Sequence, residues 1–336
     1  MHQKTTITTL NGNVQGLAPL VISASRATDI PAFHSAWLIH RLRAGYCAWV
    51  NPFNRNQRQY ISFEKCKVIV FWSKNPAPLV PYLDEIADRD IKFYFQFTVN
   101  DHEKEGIEPN VPSLERRIET FARLSEKIGS EKVIWRYDPI FLTPELAADE
   151  LLERIARLGN RLSPFTQKLV FSFIDINGYK KVSSNLGRTR IDAREPTPNE
   201  QKYFAKELQK INASWPSRLE LATCAEGQNF SVYNIQHNKC IDDRLICRIC
   251  KNDSEIQMAY GTPPQQMQLL PSTTLQTYTE LKDKGQREVC GCAPSKDIGA
   301  YNTCLHLCTY CYANHSETAV KNNCQKLTPE TESLIF

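Results

Sequence analysis

The stretch "KVIWRYDPI", residues 132–140, joins an apolar run to a polar turn. Apolar runs of this kind are typical of strands that are buried on both faces of a parallel sheet. Five other stretches share this character: "LVIS" (20–23), "KVIVFWS" (67–73), "KFYFQFTV" (92–99), "KLVFSFIDI" (168–176) and "LELATC" (219–224). The sequence therefore predicts about six buried strands.

Helix-like stretches separate these strands. They span residues 32–45, 77–89, 112–129, 143–159 and 197–212, and residues 48–63 predict an inserted hairpin. Several helices begin with Ser or Thr beside Pro and end at Gly, which are ordinary start and stop signals. The alternation of strands and helices indicates an α/β fold with a parallel sheet. We expect a partial (β/α)6 TIM-like barrel with a Cys-rich cap formed by the C-terminal segment, and a doubly wound open sheet is the alternative.

Polar or turn-forming residues follow each predicted strand. Examples are "SASRATD" (23–29), "SKNP" (73–76) and "RYDP" (136–139). In parallel α/β folds the functional groups gather at the carboxyl ends of the strands. We therefore expect these loops to converge on one site in either fold.

Composition sets broad limits on function. The 336 residues are 41% hydrophobic and 23% charged, as in ordinary globular proteins, and the formal charge of +4 gives no support to a nucleic-acid partner. The longest dense apolar run, "VIVFW" (68–72), is far shorter than the roughly 20 residues of a membrane-spanning helix. The N-terminus has no apolar signal-peptide core. We therefore expect a cytoplasmic protein without a membrane partner.

Cysteine is distributed unevenly. Of the twelve cysteines, only Cys47 and Cys66 precede residue 224. In a reducing compartment, clustered cysteines indicate metal or redox chemistry rather than disulfides. We divide the chain into a barrel, residues 18–236, and a Cys-rich C-terminal segment, residues 237–336.

The stretch "CLHLCTYCYAN" (304–314) has the spacing C-x3-C-x2-C. Three close thiolates on one loop suit three corners of an iron–sulfur cube, and they leave the fourth iron open. A zinc site is the first alternative, with Cys308 and Cys311 completed by Cys290, Cys292 or His306. Reduced, unliganded thiols are the second alternative.

The spacing C-x3-C-x2-C with an aromatic residue before the last cysteine resembles the motif of radical S-adenosylmethionine enzymes, whose usual core is a (β/α)6 partial barrel. The stretches "ASRATDIPA", "FWSKNP", "WRYDPI", "FSFID", "CAE", "CID" and "CGCAPSKDIGAYNTC" resemble the DUF1848 family more specifically. That resemblance covers roughly residues 18–315. The family is grouped with radical S-adenosylmethionine proteins and is distantly similar to spore photoproduct lyase.

The resemblance implies a cofactor set. Cys304, Cys308 and Cys311 would hold a [4Fe–4S] cluster whose open iron binds S-adenosylmethionine, and Tyr310 would lie against the adenine. Reductive cleavage of the sulfonium C–S bond would give methionine and a 5′-deoxyadenosyl radical, with a reductant such as flavodoxin or ferredoxin supplying the electron.

Two cations at strand ends, Arg136 and Lys74, are candidates for binding the carboxylate of S-adenosylmethionine, with ordinary ion pairs as the alternative. In the superfamily the three cysteines usually follow the first strand, whereas the loop "SASRATDIPA" here has none. We therefore expect the tail to fold back and bring residues 304–311 to the mouth of the barrel.

A second set comprises Cys224, Cys240, Cys290 and Cys292. If the tail covers the barrel mouth, "CGC" (290–292) comes near Cys224 at the end of the sixth strand. Four thiolates would then hold a second, fully ligated [4Fe–4S] cluster or a zinc ion. Reduced thiols packed as small hydrophobes are the alternative.

The sequence thus favours a radical S-adenosylmethionine enzyme of unknown substrate. One alternative keeps the radical chemistry and directs it to nucleic acid, as a lyase or repair enzyme. The other is a zinc-stabilised binding protein without radical chemistry. Iron and sulfide in anaerobically purified protein would separate the last alternative from the first two.

Overall fold

The computed structural model describes residues 2–189, 191–261 and 281–335. In these ranges the strands are β1 (His2–Thr9), β2 (Gly12–Pro19), β3 (Val21–Ala24), β4 (Tyr46–Asn51), β5 (Asn54–Ser62), β6 (Val68–Ser73), β7 (Lys92–Thr98), β8 (Val133–Ile140), β9 (Lys168–Phe173), β10 (Glu220–Thr223), β11 (Ile235–His237) and β12 (Lys296–Asp297). The α-helices are α1 (Ile30–Phe33), α2 (Ser35–Ala44), α3 (Leu83–Ala87), α4 (Leu114–Ile128), α5 (Ala148–Leu162), α6 (Lys180–Leu186), α7 (Pro198–Ser214), α8 (Asp243–Ile249), α9 (Ser254–Tyr260) and α10 (Glu317–Cys324).

The main sheet is parallel throughout and has the order β11-β10-β9-β8-β7-β6-β3-β12. The six predicted strands are β3 and β6 to β10, so the predicted α/β fold with a parallel sheet is confirmed. These six strands lie side by side in chain order, whereas a doubly wound sheet reverses its order at a switch point. In the described residues β11 and β12 do not pair with each other, so the sheet is not closed.

Helices α2 to α7 pack on one face of this sheet. Alternate strand residues such as Ile69 and Phe71 point to that face, because successive side chains of a strand lie on opposite sides. In α5, Leu151, Ile155 and Leu158 form a buried stripe with helical spacing. Each fully buried side chain of this kind contributes roughly 1.5–3 kcal/mol. Within the described part of the chain, no helix has both the length and the apolarity to cross a membrane.

The C-terminal segment covers the opposite face. Val68, Val70 and Tyr94 point to this face and pack against Ile246 of α8 and Ile256 of α9. The predicted domain boundary between residues 236 and 237 falls inside β11, and β12 adds a strand beside β3. Residues on both sides of this boundary therefore belong to the same sheet.

A second, four-stranded sheet has the order β1-β2-β5-β4. Its β4–β5 hairpin confirms the hairpin predicted at 48–63. The β1–β2 hairpin was not predicted, although Asn11-Gly12 at its turn is a hairpin signal and Gly12 has φ +105°. The last residues hold the β4–β5 hairpin in place, since Ala48 N donates to Glu332 O at 2.7 Å and Tyr46 donates to the Glu332 carboxylate at 2.7 Å.

Candidate functional site

The tail crosses the carboxyl end of β3 at Asp297. The carboxylate of this residue accepts hydrogen bonds from Ser23 Oγ at 2.7 Å, Ser25 Oγ at 2.8 Å and Arg26 N at 3.0 Å. Asp297 lies in β12, whose pairing with β3 is parallel. The chain that follows β12 therefore begins at the end of the first strand of the main sheet.

Asp29 ties the cysteine loop to two other segments. Its Oδ1 accepts from Ala32 N at 2.9 Å, which caps α1, and from Ser73 Oγ at 2.8 Å at the end of β6. Its Oδ2 accepts from Lys74 N at 2.7 Å and lies 2.8 Å from His306 Nε2. The other ring nitrogen, Nδ1, lies 3.3 Å from the carbonyl oxygen of Asn110. Both ring nitrogens of His306 thus face protein partners, so this residue does not point towards Cys308 and Cys311 as a free zinc ligand.

The three cysteines of the motif lie half-buried on one loop, which contacts the segments that follow β6 and β7 through Asp29 and Ile107. The segment 107–110 holds this loop from one side, since Asn110 Nδ2 donates to Leu305 O at 2.8 Å and Thr309 N donates to Ile107 O at 2.9 Å. A cavity of about 320 Å³ opens beside it, and Cys308 and Arg188 contribute to its lining. Residues 304–311 therefore lie beside the segment 107–110.

Backbone N–H groups face two of the three sulfurs. They are His306 N for Cys304, and the N–H groups of Ala313 and Asn314 for Cys311. Burial raises the pKa of each thiol, and these donors act in the opposite direction because they stabilise the thiolate. Thiolates are the form in which cysteine binds metals, so these donors suit a ligand set.

Lys74 and Tyr310 both contact Glu108, a buried carboxylate that sequence analysis missed. Lys74 Nζ donates to Glu108 Oε1 at 2.8 Å, and the Tyr310 hydroxyl donates to the same oxygen. Asn100 Nδ2 donates there too, at 2.9 Å. Burial alone would raise the pKa of Glu108, but Lys74 and other cations outweigh it and hold that pKa well below its usual value. Lys74 therefore forms an internal ion pair, the alternative that the sequence had left open.

Arg136 also has internal partners. Its Nη2 donates to the Asp138 carboxylate, which accepts from Ser172 Oγ at 2.5 Å. Its Nη1 donates to the Cys240 sulfur at 3.1 Å. Arg136 is 4% exposed. It therefore belongs to the surroundings of the second cysteine set and not to those of the motif.

The four cysteines of the second set lie together. The sulfurs of Cys224 and Cys240 are 3.4 Å apart, and Cys240 N donates to the Cys292 sulfur at 3.2 Å. Cys292 also contacts the Cys290 thiol, and this hydrogen bond lowers the pKa of Cys290 to about 7. Thiols from three separate segments of the polypeptide are thus linked by successive contacts.

Neither set is arranged around a single point. In residues 2–189, 191–261 and 281–335, no three His, Cys, Asp or Glu side chains are placed to hold one metal ion. Each thiolate of an iron–sulfur cube binds a different iron, so its ligands need not converge as those of one zinc ion must. The donor set of the motif is therefore chemically suited to a cluster.

The carboxylates that position the site had no clear sequence signal. Asp29 and Asp297 occur in ordinary polar loops, and Glu108 lies in a turn-rich stretch far from any cysteine in sequence. Glu226, beside Cys224, accepts from Phe173 N at 2.8 Å, and burial raises its pKa to about 7. Only the three-dimensional arrangement shows which groups these four carboxylates contact.

Comparisons with known proteins agree with the sequence resemblance. The family model described as "Domain of unknown function (DUF1848)" matches residues 21–313, which is most of the chain. Neither the curated proteins nor the solved structures gave a match. The matched range includes β3 to β12 and the whole cysteine motif. The chain belongs to the DUF1848 family.

Proposed function

We propose that this protein is a radical S-adenosylmethionine enzyme in which Cys304, Cys308 and Cys311 bind three irons of a [4Fe–4S] cluster. One observation carries the proposal. Three thiols with the spacing C-x3-C-x2-C lie on one loop that Asp29 and Glu108 anchor near the carboxyl ends of parallel strands. Parallel α/β enzymes gather their functional groups at that end of the sheet.

The strand order supports the finer fold assignment, a partial (β/α)6 TIM-like barrel. Six parallel strands follow one another in chain order, with helices on one face, which is how the strands of a (β/α) barrel succeed one another. β12 adds to the edge at β3. The tail thereby brings the cysteines to the place where a loop after the first strand would carry them.

This chain's own residues would hold and shield the cofactors. When bound, a reduced cluster with an open iron supplies the electron that splits the sulfonium C–S bond of S-adenosylmethionine. The His306–Asp29 contact fixes the loop, and backbone N–H groups face the ligand sulfurs. Tyr310 is held by Glu108, so its ring has one defined position beside Cys308. No fourth cysteine lies between residues 304 and 311 to close the open iron.

Anaerobic reconstitution tests the proposal. Protein loaded with iron and sulfide should bind about four of each in the motif, and with dithionite and S-adenosylmethionine it should release 5′-deoxyadenosine. Flavodoxin or ferredoxin should replace dithionite. Cys308→Ser should abolish the product, whereas Cys324→Ser should keep it, because that half-buried thiol only donates to Thr303 O at 3.4 Å.

Two results would contradict the proposal. Fully loaded protein that forms no 5′-deoxyadenosine would remove the radical chemistry. Protein that takes up zinc at the motif and no iron would favour a zinc-stabilised binding protein instead.

A further inference from the structure

Two cations lie beside the second cysteine set, although neutral thiols need no positive charge near them. Two arginines lie against it: Arg136 Nη1 donates to the Cys240 sulfur at 3.1 Å, and the Arg26 guanidinium lies beside Cys292. Among the described residues, Arg26 Nη2 is buried without a hydrogen-bond partner. A buried guanidinium nitrogen costs free energy unless an acceptor satisfies it. A neutral thiol is a weak acceptor, whereas an anionic sulfur is a strong one.

Neutral donors complete this environment. Asn238 Nδ2 donates to the Cys240 sulfur at 3.3 Å, and Ile241 N lies 3.5 Å from the Cys292 sulfur, next to Cys240 N at 3.2 Å. These groups add to the two arginines and all act on Cys240 or Cys292. The surroundings are therefore built to stabilise negative charge on the sulfurs.

The four thiols also come from separate segments that the fold brings together. Cys224 follows β10, Cys240 follows β11, and Cys290 and Cys292 come from the tail. The separation of 3.4 Å between the Cys224 and Cys240 sulfurs is close to the roughly 3.8 Å between two thiolates on one tetrahedral ion with bonds of about 2.3 Å. Rotation about χ1 moves a cysteine sulfur between three staggered positions, so metal binding can change the positions of these sulfurs without moving the backbone.

We propose that Cys224, Cys240, Cys290 and Cys292 bind a second metal centre in which all ligands are thiolates, and that Arg136 and Arg26 are positioning residues that donate to its sulfurs. The ligand is a thiophilic metal, either a zinc ion or an iron–sulfur cluster, since both take four thiolates. With four protein ligands the centre has no open position, so it serves as a structural or electron-transfer site. It is independent of the cluster at residues 304–311.

A series of polar contacts runs from the second cysteine set to the cysteine motif. Arg136 pairs with Asp138, whose backbone N–H donates to Asn100 Oδ1 at 2.9 Å, and Asn100 in turn donates to Glu108 beneath the cysteine motif. These hydrogen bonds lie between the two thiol sets.

Metal analysis of a variant without the motif tests the proposal. The triple variant Cys304→Ala, Cys308→Ala, Cys311→Ala should still bind metal when supplied anaerobically with iron and sulfide, or with zinc alone. Iron with sulfide identifies a cluster, and zinc at one per chain identifies a single ion. Adding Cys240→Ala and Cys292→Ala should abolish this binding, whereas adding Cys324→Ala should leave it unchanged. No binding of either metal by the triple variant would overturn the proposal without touching the proposed function.

Thiol protection provides a measurement that needs no change in the second set. In the triple variant, metal loading should shield the four proposed ligands from alkylation and leave Cys324 unshielded, as read by mass spectrometry. Equal alkylation with and without metal would overturn the proposal. The formation of a Cys224–Cys240 disulfide in place of metal binding would also overturn it.

Arg136 has its own test. Arg136→Met in the triple-variant background should weaken metal affinity by about 10–100-fold, the usual effect of losing a partner of a metal ligand. Chelator competition measures it, and Arg136→Lys should recover part of the loss because one donor returns. Arg161→Met is the matched control, since Arg161 forms an exposed pair with Glu115. An unchanged metal affinity in Arg136→Met would show that the guanidinium only pairs with Asp138 and does not support the metal ligands.

Discussion

His306 Nε2 lies 2.8 Å from Oδ2 of Asp29, a residue 277 positions earlier in the chain. Both side chains are buried, at 2% and 6% exposure. Asp29 also caps α1 and binds the end of β6, so a single carboxylate joins the first and second strand ends to the cysteine loop. The position of the three thiols thus depends on the contact between His306 and Asp29, neither of which is a cysteine of the motif.

Removal of this contact should loosen the cysteine loop. His306→Ala deletes one partner of a buried polar pair, so we expect a loss of about 1–3 kcal/mol in the free energy of unfolding. Alkylation of Cys304 and Cys308 in the metal-free protein should become faster. His315→Ala is the control, because the exposed side chain of this residue in the same tail hydrogen-bonds to Lys181 Nζ and not to Asp29. Equal alkylation rates in the two variants would mean that the loop is held elsewhere.

The ion pair of Glu108 should make stability depend on pH. Its pKa is lower in the folded than in the unfolded protein, where it is near 4.3. The ion pair therefore stabilises the fold fully above about pH 5, and this contribution is lost as the pH falls through and below about 4. At pH 7, Glu108→Gln should cost about 3–5 kcal/mol, since it leaves Lys74 unpaired.

Urea denaturation at pH 7 and pH 3 measures this effect. The difference in unfolding free energy between wild type and Glu108→Gln should shrink at the lower pH. Glu115→Gln, which removes the exposed pair with Arg161, should cost at most about 1 kcal/mol at pH 7. A Glu108→Gln difference that is the same at both pH values would show that Glu108 is not ionised in the fold.

Gly299 should be needed for the contact between the tail and β3. A Cβ at this position would lie 1.8 Å from Ser25 Oγ, which donates to Asp297. Gly299→Ala should therefore separate β12 from β3 and increase hydrogen exchange at residues 22–25. The double variant Ser25→Gly, Gly299→Ala should recover part of the protection. Gly227→Ala, where a Cβ meets nothing within 4 Å, should leave exchange at residues 22–25 unchanged.

Gly159 should be required for the packing of α5 against Trp215. Alanine would gain about 1 kcal/mol of helix propensity, but its Cβ would lie 1.9 Å from Trp215 Cε2. Such overpacking usually costs about 1–3 kcal/mol, so Gly159→Ala should lower the urea midpoint. Asn160→Ala, one residue further on the exposed side of the helix, should raise it slightly. A higher midpoint for Gly159→Ala would mean that Trp215 moves aside without cost.

Six of the eight strands described in the main sheet could be predicted, because strands such as β6 and β9 are apolar on both faces and form continuous apolar runs in the sequence. β11 and β12 could not be predicted, because strands of three and two residues are too short to show a periodic pattern in the sequence. The β1–β2 hairpin could have been predicted from the turn sequence Asn11-Gly12. The sequence also grouped Cys224, Cys240, Cys290 and Cys292, because their positions relative to the strands imply that they meet.

The partners of Lys74 and Arg136 lay beyond sequence reasoning. A Lys or Arg that follows a strand can equally well bind a ligand or form an ion pair with a carboxylate of the same protein. Glu108 comes 34 residues after Lys74 and meets it only because the loop after β7 folds over the end of β6. In the same way, nothing near Arg136 in sequence indicates a sulfur from residue 240.

The late position of β12 has a consequence for biosynthesis. Residues 296–311 are translated after every other strand of the main sheet, and domains begin to fold while the chain is still being made. A nascent or truncated chain that ends before residue 304 therefore presents strand ends without the thiol loop. Under the proposed function, the cluster could therefore assemble only after the main sheet is complete.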